Sequence, residues 1–219
     1  MARLIDLSHT VEAGMVTYKG LPGPIITDHL SREASRPLYA GGTTFQIGRI
    51  EMVANTGTYV DAPFHRFEDG ADLSQLPLAS LARLDGVCIA APHARGLATG
   101  EDFLEGREVG GKAVLFCTGW SELWGSPSYL RRSPHLTAAA ASRLVSRGAA
   151  IVGIDSHNID DTDDKTRPVH SILLRAGIPI VEHLVNLEAL PASGFRFYAV
   201  PVKVAGMGTF PVRAFAEVP

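Results

Sequence analysis

Four short apolar runs punctuate the second half of the chain: GVCIAA from residue 86, KAVLFCT from 112, AAIVGID from 149 and IPIVEHLV from 178. Each is too short for a helix and too uniformly apolar for a strand with one wet face, so each reads as a strand buried on both sides. Between them lie helical patterns. LTAAAASRLVSRG has an Ala-rich interior, Thr137 as N-cap and Gly148 as stop, and PVHSILLRAG starts at Pro168 and is ended by Gly177. TGEDFLEG predicts a further short helix, with Thr99 as cap and Asp102 three residues on. The residues ahead of these read as short strands and loops, with ARLIDLSH as an opening strand and TTFQIGRIEMV alternating like half-buried strands. Pro22, Pro24, Gly41 and Gly42 mark irregular connections, and FRFYAVPVKVAG reads as a closing strand whose pairing Pro201 limits. Strands alternating with helices predict a mixed α/β layer joined to a more β-rich half, as a single domain over residues 1–219.

Composition removes several functions. A net charge of −3 and the absence of any basic run leave no footprint for nucleic acid or an anionic membrane. No apolar stretch is long enough to span a bilayer, and MARLIDLSHT has no h-region of a signal peptide. Cys88 and Cys117 sit in apolar runs and read as buried free thiols, so a cytoplasmic location is expected. No GxSxG elbow or Walker loop is present, and GMGTF lacks the full dinucleotide fingerprint.

The residues able to do chemistry cluster in a few places. In NTGTYVDAPFH, residues 55–65, Asp61 and His65 stand four apart with Pro63 between them. An irregular loop there can aim both at one ion, and Gly57 permits close backbone approach, although Asp before Ala-Pro is also a good turn former. Glu182 lies in the apolar run IPIVEHLV, where a carboxylate needs a metal, an arginine or an exposed edge to offset desolvation. Arg49, Arg66 and Arg167 are candidate partners. His183, next along a strand, should point to the opposite face. His170, twelve residues upstream of Glu182, opens the helix that feeds this strand and can share its neighbourhood. Asp155 ends AAIVGID, and the acidic loop after it lacks the Gly and terminal Glu of a calcium loop; a solvated loop in which Asp155 or Asp160 orients neighbours fits better. His29, His93 and His135 stand in apparent loops, whereas His9 is ambiguous and can line a site. Phe45, Phe64, Trp120 and Trp124 can line an aromatic pocket or pack in the core.

With these residues in place, the chain resembles the cyclase family of metal-dependent hydrolases, which includes bacterial kynurenine formamidase and isatin hydrolase. The family signature HxGTHxDxPxH aligns with residues 55–65 without a gap, matching at Gly57, Thr58, Asp61, Pro63 and His65. IDLSHTVEAGM, LFCTGW, GID, PVHSILL and VEHLVNL extend the resemblance over nearly the whole chain. The resemblance implies a swivelling β/β/α-type fold with a mixed sheet, a homo-oligomer (dimer or tetramer), and one or two divalent ions, zinc or manganese. By position it makes Asp61, His170 and Glu182 metal ligands and His65 a ligand or general base. Two signature histidines are replaced, by Asn55 and Tyr59. A neutral amide and a phenol of reference pKa about 10 are poor substitutes, so one metal position is expected to be lost.

The expectation is therefore a metal-dependent hydrolase of a small amide, imide or lactone carbonyl, arylformamidase-like, with an N-formylkynurenine-type substrate of tryptophan catabolism as one option. One zinc or manganese ion sits on Asp61, His65, His170 and Glu182. His65 and Tyr59 act in catalysis, with Tyr59 donating to the oxyanion, and Asn55, Tyr59 and Phe64 contact substrate. The rival readings are a metal-free homologue that only binds a small molecule, and a cyclase or dehydratase of a biosynthetic pathway.

Overall fold

The computed structural model describes residues 2–93 and 97–219. Four parallel strands form the heart of its large sheet: β5 (Leu84–Ala90), β7 (Ala113–Cys117), β9 (Ile151–Ile154) and β10 (Ile180–Glu182). Antiparallel strands extend both edges. On one side lie β11 (Ser193–Tyr198), β13 (Phe215–Val218) and β1 (Arg3–Asp6); on the other, β4 (Tyr59–Asp61) and β12 (Thr209–Pro211). The order is β1-β13-β11-β5-β7-β9-β10-β4-β12, so the two ends of the chain pair with each other.

The apolar runs are continuous because both faces of the sheet are covered. In β7, Ala113 and Leu115 join a core with Val60, Val181 and Phe197. Val114 and Phe116 join the opposite core with Leu144 and Leu173. Those two leucines come from α2 (Ala138–Ser146) and α3 (Pro168–Arg175), which cover one face. Their predicted ends hold: the Thr137 side chain accepts from the Ala140 amide at 3.2 Å, and Gly148 and Gly177 follow the helices at φ 71° and 75°.

Four expectations change. TTFQIGRIEMV does not form half-buried strands: β2 (Ile25–Leu30) and β3 (Ile47–Glu51) make a separate two-stranded ribbon exposed on nearly every residue, because no third layer packs on it. Thr99 caps no helix. It belongs to β6 (Ala98–Thr99), paired with β8 (His135–Leu136), where its carbonyl accepts from the Thr137 amide, and only a short 3-10 turn, Glu101–Leu104, follows. The chain does not close at FRFYAVPVKVAG; β12 and β13 come after it, one on each side of the sheet. His29 and His135 accordingly lie on strands β2 and β8, not in loops.

Candidate metal and catalytic centre

Strand register assembles the centre. β4 lies between β10 and β12, and Tyr59 pairs directly with Glu182 while Asp61 pairs with Ile180 on one side and Thr209 on the other. Side chains alternate, so Val60 and Val181 enter one core while Tyr59, Asp61, Glu182 and Thr209 share the face covered by α3. His170, in the first turn of α3, comes down onto that face. The turn before β12 approaches closely as well: a Cβ on Gly208 would clash with the backbone of His65.

Around Asp61 the hydrogen bonds run in one direction. The Thr209 hydroxyl donates to Asp61 Oδ1 and therefore accepts from His65 Nδ1, at 2.7 Å. This network assigns the proton of a neutral His65 to Nδ1 and leaves the lone pair on Nε2. Asp61 Oδ2 is buried and has no hydrogen-bond partner among the described residues. Asp160 holds His170: its carboxylate accepts from the Val169 amide at 2.7 Å, the His170 amide at 3.0 Å and His170 Nδ1 at 2.6 Å. His170 Nε2 then stands 3.7 Å from Asp61 Oδ2 and 3.7 Å from Glu182 Oε1.

Those separations are too long for hydrogen bonds and suit a shared ion. Two donors about 2.1 Å from a tetrahedral cation stand about 3.4 Å apart. Asp61, His65 and His170 offer ligand atoms that all lie within 4.8 Å of one another. Glu182 falls outside that compact group, with its Oε1 3.7 Å from His170 Nε2, so it would have to draw in to share an ion with Asp61. The carboxylates of Asp61, Asp160 and Glu182 converge on one imidazole, a charge set that a divalent cation balances.

The electrostatics follow from burial and these pairs. Burial opposes charge on His170, but Asp160, Asp61 and Glu182 outweigh it, and its pKa is pushed up to about 10. That proton competes with a cation for Nε2, so metal occupancy should rise with pH. Burial raises Glu182 to about 7 against the pull of His170. Asp61 is also disfavoured by burial, yet His65 and His170 keep it below the usual range. Burial together with Glu182 and Asp61 holds the Tyr59 phenol far above its ordinary value, so it stays protonated.

Tyr59 is 1% exposed, and its hydroxyl donates to Glu182 Oε2 at 2.7 Å; Glu182 Oε1 accepts from the Ile159 amide at 2.7 Å. The Tyr59 proton thus goes to Glu182 rather than to a substrate oxyanion, and its oxygen is no phenolate ligand. Glu182 finds its cation in His170, not in an arginine; Arg49 pairs with Glu51 on the exposed ribbon. His183 is not on the opposite face of a continuing strand. β10 stops at Glu182, and His183, at φ 57°, turns back so that Nε2 lies 3.3 Å from the Tyr59 hydroxyl and Nδ1 2.8 Å from that of Tyr129.

A pocket of about 280 Å³ opens over this centre. Its buried end is Tyr59, His170 and Glu182; His65, Asn55 and Asn158 line its wall; Arg66 and Arg167 stand at its exposed end beside Tyr18 and Leu21. Phe64 is not among its walls. Successive residues of the 3-10 turn Pro63–His65 point about 120° apart, and Phe64 borders a separate groove with Glu68 and Asp72. Phe45 is exposed on the ribbon side, Trp124 stacks on His9 at 3.8 Å, and Trp120 donates to the Tyr129 carbonyl at 3.1 Å. Asp155 accepts from the Thr118 and Gly119 amides at 2.9 and 2.8 Å and orients that turn.

A family model described as "Putative cyclase" matches residues 5–161. The chain belongs to the cyclase family. Among cyclase relatives, a kynurenine formamidase of Bacillus cereus is 29% identical over 214 residues, covering 96% of this chain and 95% of that one. Isatin hydrolase A from Ralstonia solanacearum superposes with a TM-score of 0.86 at 24% identity, covering 100% of this chain and 92% of that one, a likeness of fold. A solved structure of a potential metal-dependent hydrolase with cyclase activity gives a TM-score of 0.81 at 25% identity, covering 100% and 99%. The mixed α/β sheet of this chain is therefore the cyclase fold. Thr209 carries no signal in the sequence, because its role depends on a strand partner 148 positions away. Asp160 does orient a neighbour, as one of the two acids singled out in its loop, and the residue it holds is His170.

Proposed function

We propose that the protein is a cyclase-family hydrolase that cleaves a small amide or lactone carbonyl with one divalent ion, zinc or manganese, held by Asp61 and His170, with Glu182 drawing in to complete the set. The observation that carries this reading is the buried, unpartnered Oδ2 of Asp61 facing His170 Nε2 at 3.7 Å. A divalent ion bound there supplies Lewis-acid polarisation of a carbonyl and acidification of water.

The residues of the chain do the rest. Asp160 fixes His170 so that its Nε2 faces the centre, the second-layer carboxylate common at such sites. Tyr59 and the Ile159 amide hold both oxygens of Glu182. His65 is the general base: Thr209 fixes its Nδ1 proton, and Nε2 is free to take a proton from water attacking the carbonyl and return it to the leaving amine. The small pocket excludes bulky substrates. An N-formylkynurenine-type aryl formamide is one substrate that the kynurenine formamidase relatives support.

Release of formate from aryl formamides tests the reading. Activity should vanish on chelation and return with Mn²⁺ or Zn²⁺, and His65→Ala should lower kcat by about 10²–10⁴ while metal is retained. Turnover insensitive to chelation would sink it. The metal-free reading draws on the three carboxylates already surrounding a protonated His170; ligand binding without turnover at any metal concentration would favour it. Mass spectrometry separates hydrolysis from cyclisation or dehydration, since only hydrolysis adds water.

Among the described residues no helix is long and apolar enough to cross a membrane. The free thiols of Cys88 and Cys117 support a cytoplasmic location. The exposed ribbon, with Ile25, Ile26, Ile47 and Ile50 each about half exposed, supports a dimer or tetramer, to be checked by light scattering.

A further inference from the structure

The pocket over the centre has an internal polarity that a neutral substrate would not use. Its buried end is anionic, built on Asp61 and Glu182, while its exposed end carries two guanidinium groups, Arg66 and Arg167. Neither of these arginines has a carboxylate within 4.0 Å among the described residues, whereas Arg132, Arg175, Arg196 and Arg213 each meet one.

Local structure places the two as a pair. Arg66 Nε donates to the Ser171 hydroxyl at 3.2 Å, and that hydroxyl donates to the Arg167 carbonyl at 2.8 Å, so both arginines are anchored to the first turn of α3. Arg167 also adopts φ 50° and ψ 60°, left-handed backbone that a side chain other than Gly, Asn or Asp seldom takes. Its Nη1 donates to the Asp161 carbonyl at 2.9 Å and its Nη2 reaches the Tyr18 hydroxyl at 3.3 Å, which fixes the guanidinium beside the pocket. The helix amides offer no alternative anion seat, because those of Val169 and His170 already donate to Asp160. The remaining N–H groups of the two forks suit a planar carboxylate, which guanidinium binds in bidentate fashion.

We propose that Arg66 and Arg167 form a carboxylate handle, so that the substrate is a small amide or lactone bearing a carboxylate on the side opposite its reacting carbonyl. This rests on the hydrolase reading for the carbonyl end but not for the anion end. The two guanidinium groups at the exposed end attract such an anion and so orient the substrate, because the charge of an ion at the buried end is already balanced by Asp61 and Glu182.

The test uses the metal-loaded protein with 4-formamidobenzoate and its neutral methyl ester as a matched pair. The wild type should prefer the carboxylate by 100-fold or more in kcat/KM. Arg66→Ala, at an exposed position, and Arg167→Lys, which keeps the charge but loses the fork, should each cut that preference at least tenfold, mainly through KM. A purely structural role would depress both substrates alike and leave the ratio unchanged, which overturns the proposal, as does an ester hydrolysed as well as the acid. Binding of 4-aminobenzoate, measured by calorimetry, separates the two readings. If neither compound is turned over, the hydrolase reading fails. The handle then stands only if 4-aminobenzoate binds the wild type, weakens at least tenfold in Arg66→Ala and weakens with salt; no binding overturns it.

Discussion

Replacing Asp160 by Asn changes one atom and removes one charge, and the structure says what that charge does. The carboxylate accepts three hydrogen bonds, from the amides of Val169 and His170 and from His170 Nδ1. The Val169 amide uses Oδ1, while the His170 amide and Nδ1 share Oδ2. An Asn that keeps its oxygen on the Val169 amide therefore turns its nitrogen toward His170. That nitrogen cannot accept from Nδ1, and His170 is pushed to the tautomer with its proton on Nε2. That proton would occupy the position facing Asp61 and Glu182. Loss of such a supporting carboxylate typically weakens metal affinity 10–100-fold, about 1.4–2.7 kcal/mol. Hydrogen bonds to a charged group contribute roughly 1 kcal/mol more than neutral ones, so the fold itself should lose about 1–2 kcal/mol, or roughly 2–8 °C in Tm. Competition against a chromogenic chelator gives the affinity and calorimetry gives the Tm. A variant that melts earlier but binds Mn²⁺ or Zn²⁺ within twofold of the wild type would reduce Asp160 to a helix cap and refute the reasoning.

Tyr59→Phe should lower stability by about 1–3 kcal/mol, because it leaves one oxygen of buried Glu182 without its donor; a Tm within 1 °C of the wild type would contradict this. Acid should weaken the fold through buried imidazoles. Burial, and then the charge of Arg167, lower His157 from 6.5 to about 4, and both of its ring nitrogens are buried without partners among the described residues. A depressed imidazole pKa contributes stability that is fully present above 6.5 and lost as pH falls toward 4, up to about 3 kcal/mol for this group. Denaturant titrations of His157→Phe should show a flatter decline over that window, and identical pH profiles would rule the imidazole out.

What could be read from the sequence was what local chemistry fixes. Thr137, Gly148, Pro168 and Gly177 bracket α2 and α3 because caps and left-handed stops act within a few residues. The apolar runs of β5, β7, β9 and β10 were legible because both faces are covered. Asp61, His65, His170 and Glu182 could be singled out as residue types in unusual settings. What hid was register. That Tyr59 faces Glu182, and Thr209 faces Asp61, depends on which strands flank β4, and both partners are only three residues long. The same limit explains His183: period-two alternation holds only while the strand lasts, and β10 ends one residue too soon. The ribbon of β2 and β3 misled in the opposite way, since an apolar pattern does not reveal whether any layer arrives to cover it.

The central claim is that Asp61 and His170 hold one cation, toward which Glu182 draws in. Anomalous diffraction from crystals of the protein purified without chelator, recorded on both sides of the zinc and manganese edges, tests it directly. The account predicts a single peak per chain between Asp61 Oδ2 and His170 Nε2, with Glu182 Oε1 drawn toward it, absent from Asp61→Asn crystals. No anomalous density there after soaking in either metal, with His170 instead bonded straight to Asp61, would contradict it.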